Sequence, residues 1–321
     1  MEKRIAFVAP EQAALVDAAP PTPPGSGEVL GRTIVTLISP GTELNANYRG
    51  TTFPSYSGYA SIFEVAQVGP NTTGVSPGQI LYAMGGHCSF QKIAVANTLP
   101  VPDGLPPQRA VIARLMGVSM TTLVTTRARP GEIVLVAGLG PVGYLAALQF
   151  RRTGYRVVVC DPEPSRRNLA ASAGFTEVFP SIPFEDPAYA GKVALVVECS
   201  GHEQAALDGC KIVRRLGEVV LVGVPWKQYT DISAHSILHA VFHKYALLRS
   251  GWEWEAPMHS SLYDPVGIMD NIATALRWLS DGSVEIGDTI NLLAPPDAAS
   301  VYRSLADRTL PGLFPVFEWS R

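Results

Sequence analysis

Hydrophobic and polar positions divide this chain into two textures. Over roughly the first hundred residues, short apolar runs at 3–8, 28–38, 59–68, 79–83 and 90–95 are interrupted by Pro and Gly. That pattern predicts strands joined by tight turns, with turn signals at Pro23-Pro24-Gly25-Ser26-Gly27 and Ser76-Pro77-Gly78-Gln79. Residues 106–127 form the first long helix-compatible stretch, closed by Arg129-Pro130-Gly131. The texture then changes. Apolar runs at 133–136, 156–160, 193–198 and 218–222 alternate with helical patterns at 142–153, 165–173 and 203–213, and a further strand is expected at 246–250. Such alternation predicts an α/β fold with a doubly wound parallel sheet. Beyond Trp254 the pattern loosens into a helix at 265–280, a strand at 289–293, a helix at 296–306 and a final strand at 313–319. The expected organisation is therefore a β-rich domain over 1–107, a doubly wound α/β unit over 108–254, and a return to the first domain over 255–321.

One motif sharpens this reading. Gly138-Leu139-Gly140-Pro141-Val142-Gly143 follows the apolar run at 132–137 and opens a helical stretch. The next apolar run ends on Asp161. A lone G-x-G-x-x-G is weak, but a strand before it, a helix after it and an acid closing the next strand make the dinucleotide-binding context. The first glycine makes the tight turn, the second admits a pyrophosphate, and the third lets helix pack on strand. Backbone N–H groups at the helix N-terminus then face the phosphates. Asp161 is expected to accept hydrogen bonds from ribose hydroxyls and to repel a 2′-phosphate, which favours NAD over NADP.

Bulk properties remove other classes. The 321 residues carry 25 Lys+Arg against 28 Asp+Glu, a net charge of −3, so no basic field invites nucleic acid or an anionic membrane. No run is long and apolar enough to span a bilayer, and the first apolar segment is too short for a signal peptide. Four cysteines, at 88, 160, 199 and 210, form no C-x-x-C pair and are expected as reduced thiols in a cytoplasmic protein.

The order of these parts resembles the medium-chain dehydrogenase/reductase superfamily over essentially the whole chain. The supporting residues are Gly41-Thr42-Glu43, Val75-Ser76-Pro77-Gly78-Gln79, Gly85-Gly86, the glycine fingerprint, Glu198-Cys199-Ser200-Gly201 and Val222-Gly223-Val224. The resemblance implies a GroES-like, β-rich catalytic domain and a Rossmann domain. It also implies a nicotinamide cofactor near Ser200, Gly201, Val222, Gly223 and Val224, a small-molecule substrate, and a homodimer.

The same resemblance exposes a departure. Zinc-dependent members place a Cys before Gly-Thr-Asp, a His-Glu pair after a later glycine, and a Cys or carboxylate on the following helix. Here those places read Pro40, Tyr59-Ala60, and a stretch from Asp103 to Glu132 with no intervening Asp, Glu, Cys or His. Zinc needs about three N, O or S ligands from the protein, so no zinc is expected. His235, His239 and His243 recur every four residues, but the outer two would lie about 12 Å apart along a helix, too far to share one ion.

Without a metal, hydrogen-bond donors and a general acid or base must handle the substrate oxygen. Tyr59 is the first candidate, because it stands where a ligand is lost. Ser39 and Glu43 flank the missing cysteine, Glu43 more as an orienting group than as a catalyst. His87, after Gly85-Gly86, is a candidate replacement for the acid–base group, since Asn45 stands where relatives keep a relay histidine. Tyr48, Tyr56 and His202 are weaker candidates. The expected activity is hydride transfer between NAD and a secondary alcohol or ketone of polyol, sugar-like or cyclic type. The alternatives are an NADPH-dependent quinone or enoyl reductase, and a dinucleotide-binding protein without turnover.

Overall fold

The computed structural model describes residues 2–319 and divides them into two units. The first takes the residues up to Arg114, then Leu276–Asp281 and everything from Asp288 on; the second takes Leu115–Ala275 and Gly282–Gly287.

The first unit is β-rich. Its strands are β1 (Glu2–Ala9), β2 (Gln12–Ala18), β3 (Glu28–Leu37), β4 (Ser55–Tyr56), β5 (Ala60–Val68), β6 (Ile80–Ala83), β7 (Phe90–Ala94) and β8 (Thr98–Pro100). The second unit holds β9 (Ile133–Ala137), β10 (Arg156–Cys160), β11 (Val178–Phe179), β12 (Val193–Glu198), β13 (Val213–Leu221) and β14 (Leu247–Ser250). The chain then returns β15 (Ile290–Leu293) and β16 (Phe314–Glu318) to the first unit. The helices are α1 (Pro40–Thr42), which runs directly into a π-helical turn over Glu43–Tyr48, then α2 (Pro107–Ala110), α3 (Ala113–Thr125), α4 (Pro141–Arg152), α5 (Pro164–Ser172), α6 (Glu203–Ile212), α7 (Ala234–Lys244), α8 (Ile268–Ser280) and α9 (Ala298–Ala306).

In the first unit a long sheet has the order β15-β16-β3-β5-β6-β8, with β7 also paired to β3, and a small sheet has the order β2-β1-β4. Strand β3 is the spine. It pairs antiparallel with β5 along nearly its whole length, with β7 on its first half and with β16 on its last three residues. Phe7, Tyr48, Tyr302 and Phe317 fill the core beneath, with Phe7 edge-on to Tyr302 at 4.8 Å and Tyr48 stacked on Tyr302 at 5.9 Å.

The second unit is a six-stranded sheet of order β11-β10-β9-β12-β13-β14, every pair parallel. Strand β12, Val-Ala-Leu-Val-Val-Glu, is buried at every position, as a central strand covered by helices on both faces must be. Strand order reverses at β9, whose neighbours β10 and β12 lie on either side. Ligands of open α/β sheets bind at the carboxyl ends of the strands at such a switch point.

Several local expectations change. The single helix expected over 106–127 is two, α2 and α3, with the backbone between them tightened to i→i−3 bonding (Ile112 N–H to Arg109 O, 3.2 Å; Arg114 N–H to Val111 O, 3.4 Å). The strand expected at 218–222 begins earlier, at Val213, and passes through Leu216 at φ 60° and a register shift against β12. Strand β2 went unread because Pro10-Glu11 breaks the apolar pattern. Glu11, at φ 58°, makes the hairpin turn that pairs β2 with β1.

Candidate functional site

The glycine turn lies between β9 and α4. Gly138 sits at φ +90°, and a Cβ there would stand 2.9 Å from Ser200 N. A Cβ on Gly143 would fall 1.8 Å from Gly138 O, so only glycine lets α4 close on the turn. Gly140 differs: beside it a Cβ would meet nothing nearer than the Arg166 guanidinium at 3.9 Å, leaving open space in front of the helix. Gly140 caps α4 without a side-chain hydrogen bond, and Pro141 takes the first helical position, where its missing N–H costs nothing. The backbone N–H groups of Val142 and Gly143 in the first turn have no intrahelical partner. Open space, backbone donors and the positive end of a helix dipole fit a dinucleotide diphosphate.

The neighbouring turns are built by two buried carboxylates. Asp161, 2% exposed, accepts from Leu139 N–H at 2.7 Å and Glu163 N–H at 2.8 Å, and so ties the glycine turn to the end of β10. Arg166 lies 3.4 Å from the same carboxylate. Glu198 at the end of β12 accepts from Ser200 N–H at 2.7 Å, Gly201 N–H at 3.0 Å and the Ser200 hydroxyl. Burial pushes its carboxyl up, and these bonds only partly offset that. The backbone O of Glu198 accepts from Val222 N–H at 2.8 Å and Gly223 N–H at 2.7 Å. Gly138, Gly140, Pro141, Val142, Gly143, Ser200, Gly201, Val222, Gly223 and Val224 thus form contiguous turns at the carboxyl ends of β9, β12 and β13. Glu198 is the organiser that sequence reading quoted without giving it a role; a carboxylate ending a wholly apolar strand was the available signal.

In the first unit, Glu43 opens the π-helical turn and is 1% exposed. Its Oε1 accepts from Ser39 N–H at 2.7 Å. Its Oε2 accepts from Ser57 Oγ at 2.8 Å, Tyr302 Oη at 2.5 Å and His87 Nε2 at 3.1 Å. His87, also 1% exposed, places Nδ1 2.7 Å from Thr36 Oγ1, which in turn accepts from Trp319 Nε1 at 2.9 Å. Burial alone would raise the Glu43 carboxyl, but the His87 charge and the bonds from His87, Tyr302 and Ser39 outweigh it and hold the carboxyl below its ordinary value. Burial and the Glu43 charge push the Tyr302 phenol far up.

Glu43, expected more as an orienting group than as a catalyst, and His87, expected as a replacement acid–base group, are thus sealed inside the unit and spent on each other and on hydroxyls. Tyr302, 259 residues along the chain from Glu43, bonds to its carboxylate, and Phe317 lies edge-on to the His87 ring at 5.3 Å. Ser39 is buried as well. Asn45 bonds to Gly41 O at 2.7 Å, Tyr48 is in the core, and Tyr56 is half exposed beneath Arg4 at 4.3 Å. His202 caps α6, accepting from Gln204 N–H at 3.2 Å.

Tyr59 is only half-buried, and the guanidinium of Arg114 lies over its ring, 4.2 Å from the centroid. Arg114 itself is 1% exposed. No sequence signal singles it out, since it is one arginine on an apolar helix. Among the described residues no three His, Cys, Asp or Glu side chains gather as a metal-ligand set, and Pro40, Tyr59 and Ala60 supply none of the donors a zinc site needs. His235, His239 and His243 do lie along exposed α7, with ring centroids 6.1 and 4.0 Å apart.

Residues 141–252, all within the second unit, match the family model described as zinc-binding dehydrogenase. The chain is 32% identical to L-galactonate-5-dehydrogenase of Escherichia coli (strain K12) over 152 residues, 44% of this chain and 43% of that relative. Its fold matches galactitol-1-phosphate dehydrogenase from Escherichia coli with a TM-score of 0.81 at 16% identity, covering 98% of this chain and 99% of that one. These similarities are to medium-chain dehydrogenases and reductases. The fold also matches a quinone oxidoreductase from Pseudomonas syringae pv. Tomato DC3000 with a TM-score of 0.79 at 19% identity, covering 99% of this chain and 100% of that one. The sequence match spans less than half of the curated relative, and at these identities the solved structures speak for the fold alone. Among the described residues no helix is long and apolar enough to cross a membrane.

Proposed function

We propose that this chain is a zinc-independent oxidoreductase that moves a hydride between a nicotinamide dinucleotide and a secondary alcohol or ketone of polyol or sugar-acid type. The observation that carries the reading is the glycine turn: two of its glycines are sterically obligatory, and the third leaves open space before the N-terminus of α4. The bound dinucleotide supplies the hydride acceptor in one direction and the donor in the other. The polypeptide binds its phosphates on the Val142 and Gly143 N–H groups and orients its other half against the 200–201 and 222–224 turns. Tyr59 exchanges the hydroxyl proton of the substrate as the carbonyl forms. Glu43 and His87 take a positional role, holding the 39–43 and 57–59 segments in register through Ser39 and Ser57.

The similarity to L-galactonate-5-dehydrogenase and galactitol-1-phosphate dehydrogenase supports a polyhydroxylated substrate. For the cofactor we propose NAD, with a weaker preference than Asp161 alone suggests. Its charge opposes a 2′-phosphate, but Arg166 beside it offsets that charge, and its oxygens already serve Leu139 and Glu163.

The experiment is turnover on a panel of polyols, sugar acids, ketones, quinones and enones, with a chelator and elemental analysis alongside. Oxidation of a polyol that survives chelation, with no stoichiometric zinc, is expected. Tyr59→Phe should lower kcat about a hundredfold or more while leaving dinucleotide affinity unchanged. Turnover confined to quinones or enones, or an unaltered kcat in Tyr59→Phe, would sink the reading.

A further inference from the structure

We infer that Glu198 is a positioning residue for the dinucleotide: its carboxylate holds the 199–201 loop in the shape on which the glycine turn and the 222–224 turn both close. This rests on the reading of the glycine turn as a diphosphate seat. Every residue it uses belongs to the second unit.

Glu198 ends β12, all six of whose positions are buried, and is itself 1% exposed. Its Oε1 accepts from Ser200 N–H at 2.7 Å and from the Ser200 hydroxyl, and its Oε2 accepts from Gly201 N–H at 3.0 Å. Successive N–H groups turned toward one anion make a nest, and here the chain supplies its own anion. The loop wound around it is the contact surface for both neighbours. A Cβ on Gly138 would stand 2.9 Å from Ser200 N, and one on Gly143 3.1 Å from Cys199 Cβ. On the other side, a Cβ on Gly223 would stand 2.4 Å from Gly201 N, and one on Gly201 2.5 Å from Val224 O. The main-chain O of Glu198 meanwhile accepts from Val222 and Gly223 N–H. One residue thus ties the first loop with its side chain and the second with its backbone. At such close packing a small shift of the 199–201 loop is passed directly to Gly138 and Gly143, and so to the N–H groups that open α4.

The charge has a specific use. Burial pushes the Glu198 carboxyl above its ordinary value, and the bonds from Ser200, Gly201 and His202 only partly offset that cost. In return, bonds to an ionised acceptor are about twice as strong as neutral ones, and both oxygens accept. The other titratable side chains at these strand ends are otherwise engaged. Burial and neighbouring carboxylates push the Cys199 and Cys160 thiols up, so both stay neutral. Asp161 takes Leu139 and Glu163 N–H, Glu203 takes Tyr229 N–H, and the His202 ring accepts from Gln204 N–H. Protonation of Glu198 is therefore the event that loosens the nest.

The test uses ADP-ribose, which carries the diphosphate and both riboses without the nicotinamide, so that binding is read apart from turnover. Calorimetric titration of the full chain supplies the affinity. Glu198→Gln keeps the shape and one acceptor oxygen but turns an NH2 group toward a backbone N–H; affinity at neutral pH should fall about tenfold or more. Wild-type affinity should decline as pH falls through the raised value of the Glu198 carboxyl, and its gap to Glu198→Gln should narrow. Ser200→Ala removes one donor to the carboxylate and keeps both N–H bonds, so its acid limb should move to higher pH by about half a unit or more. This variant decides the matter even if Glu198→Gln does not fold.

Unaltered affinity in Glu198→Gln, or an acid limb that stays put in Ser200→Ala, overturns the proposal. So does wild-type affinity that rises in acid, the mark of a carboxylate that merely repels the diphosphate. The two readings fail separately. Wild type that binds no ADP-ribose removes the diphosphate seat itself, whereas equal binding by wild type and Glu198→Gln removes the role of Glu198 alone.

Discussion

Replacing Glu43 by Gln tests the buried cluster that organises the first unit. The amide keeps the shape of the carboxylate and one acceptor oxygen, so the bond from Ser39 N–H at 2.7 Å survives. The other oxygen, which accepts from Ser57, Tyr302 and His87, becomes an NH2 group. Two hydroxyls and one imidazole N–H then face a group with two hydrogens of its own. The hydroxyls can turn to accept, but the ring N–H facing it must find a new partner. One unsatisfied buried donor costs about 1–3 kcal/mol, and the bonds that remain lose the assistance of a charge. A total near 3–5 kcal/mol is expected, the usual loss when one member of a buried pair is removed. Spread over a unit of this size, that lowers Tm by roughly 10 °C.

Calorimetry at neutral pH reads the loss directly, and hydrogen exchange should place it on β3 and β7 rather than on the parallel sheet. The pH dependence supplies a second check. Glu43 titrates below its ordinary value of 4.5 in the folded protein, so its contribution is fully present above that pH and fades as pH falls through the lower folded value. Wild type should therefore lose more stability in acid than Glu43→Gln, which has nothing to protonate there, and the gap between them should narrow as pH falls below about 4.5. A variant within 1 kcal/mol of wild type at neutral pH, or one with the same acid slope, would refute the account.

Two further outcomes follow from the second unit. Asp161→Asn should weaken NADH and NADPH together by about tenfold, because the carboxylate supports the glycine turn through Leu139 N–H as well as facing the cofactor; fluorescence titration that finds NADPH alone affected, and strengthened, would restore a purely discriminating role. Gly143→Ala, whose Cβ would stand 1.8 Å from Gly138 O, should abolish dinucleotide binding while circular dichroism still reports the β-rich unit, and retained nanomolar-to-micromolar affinity would contradict the turn geometry.

The sequence by itself determined most of the order of elements and the glycine turn between β9 and α4. Parallel strands buried on both faces must be continuous apolar runs, so β10 and β12 were legible at both ends and β9 to within one residue, and Gly143 is forced by the carbonyl of Gly138 within the same turn. These are local constraints, and local constraints leave periodic marks. Tertiary structure alone decided what surrounds the oxygen-handling residues. That Glu43 and His87 lie in the core depends on Tyr302 and Phe317 packing on them from the end of the chain. Whether Tyr59 carries a neighbouring charge depends on which way one arginine of an apolar helix turns. Electrostatic environment is a property of distances across the fold, and no spacing along the chain encodes it.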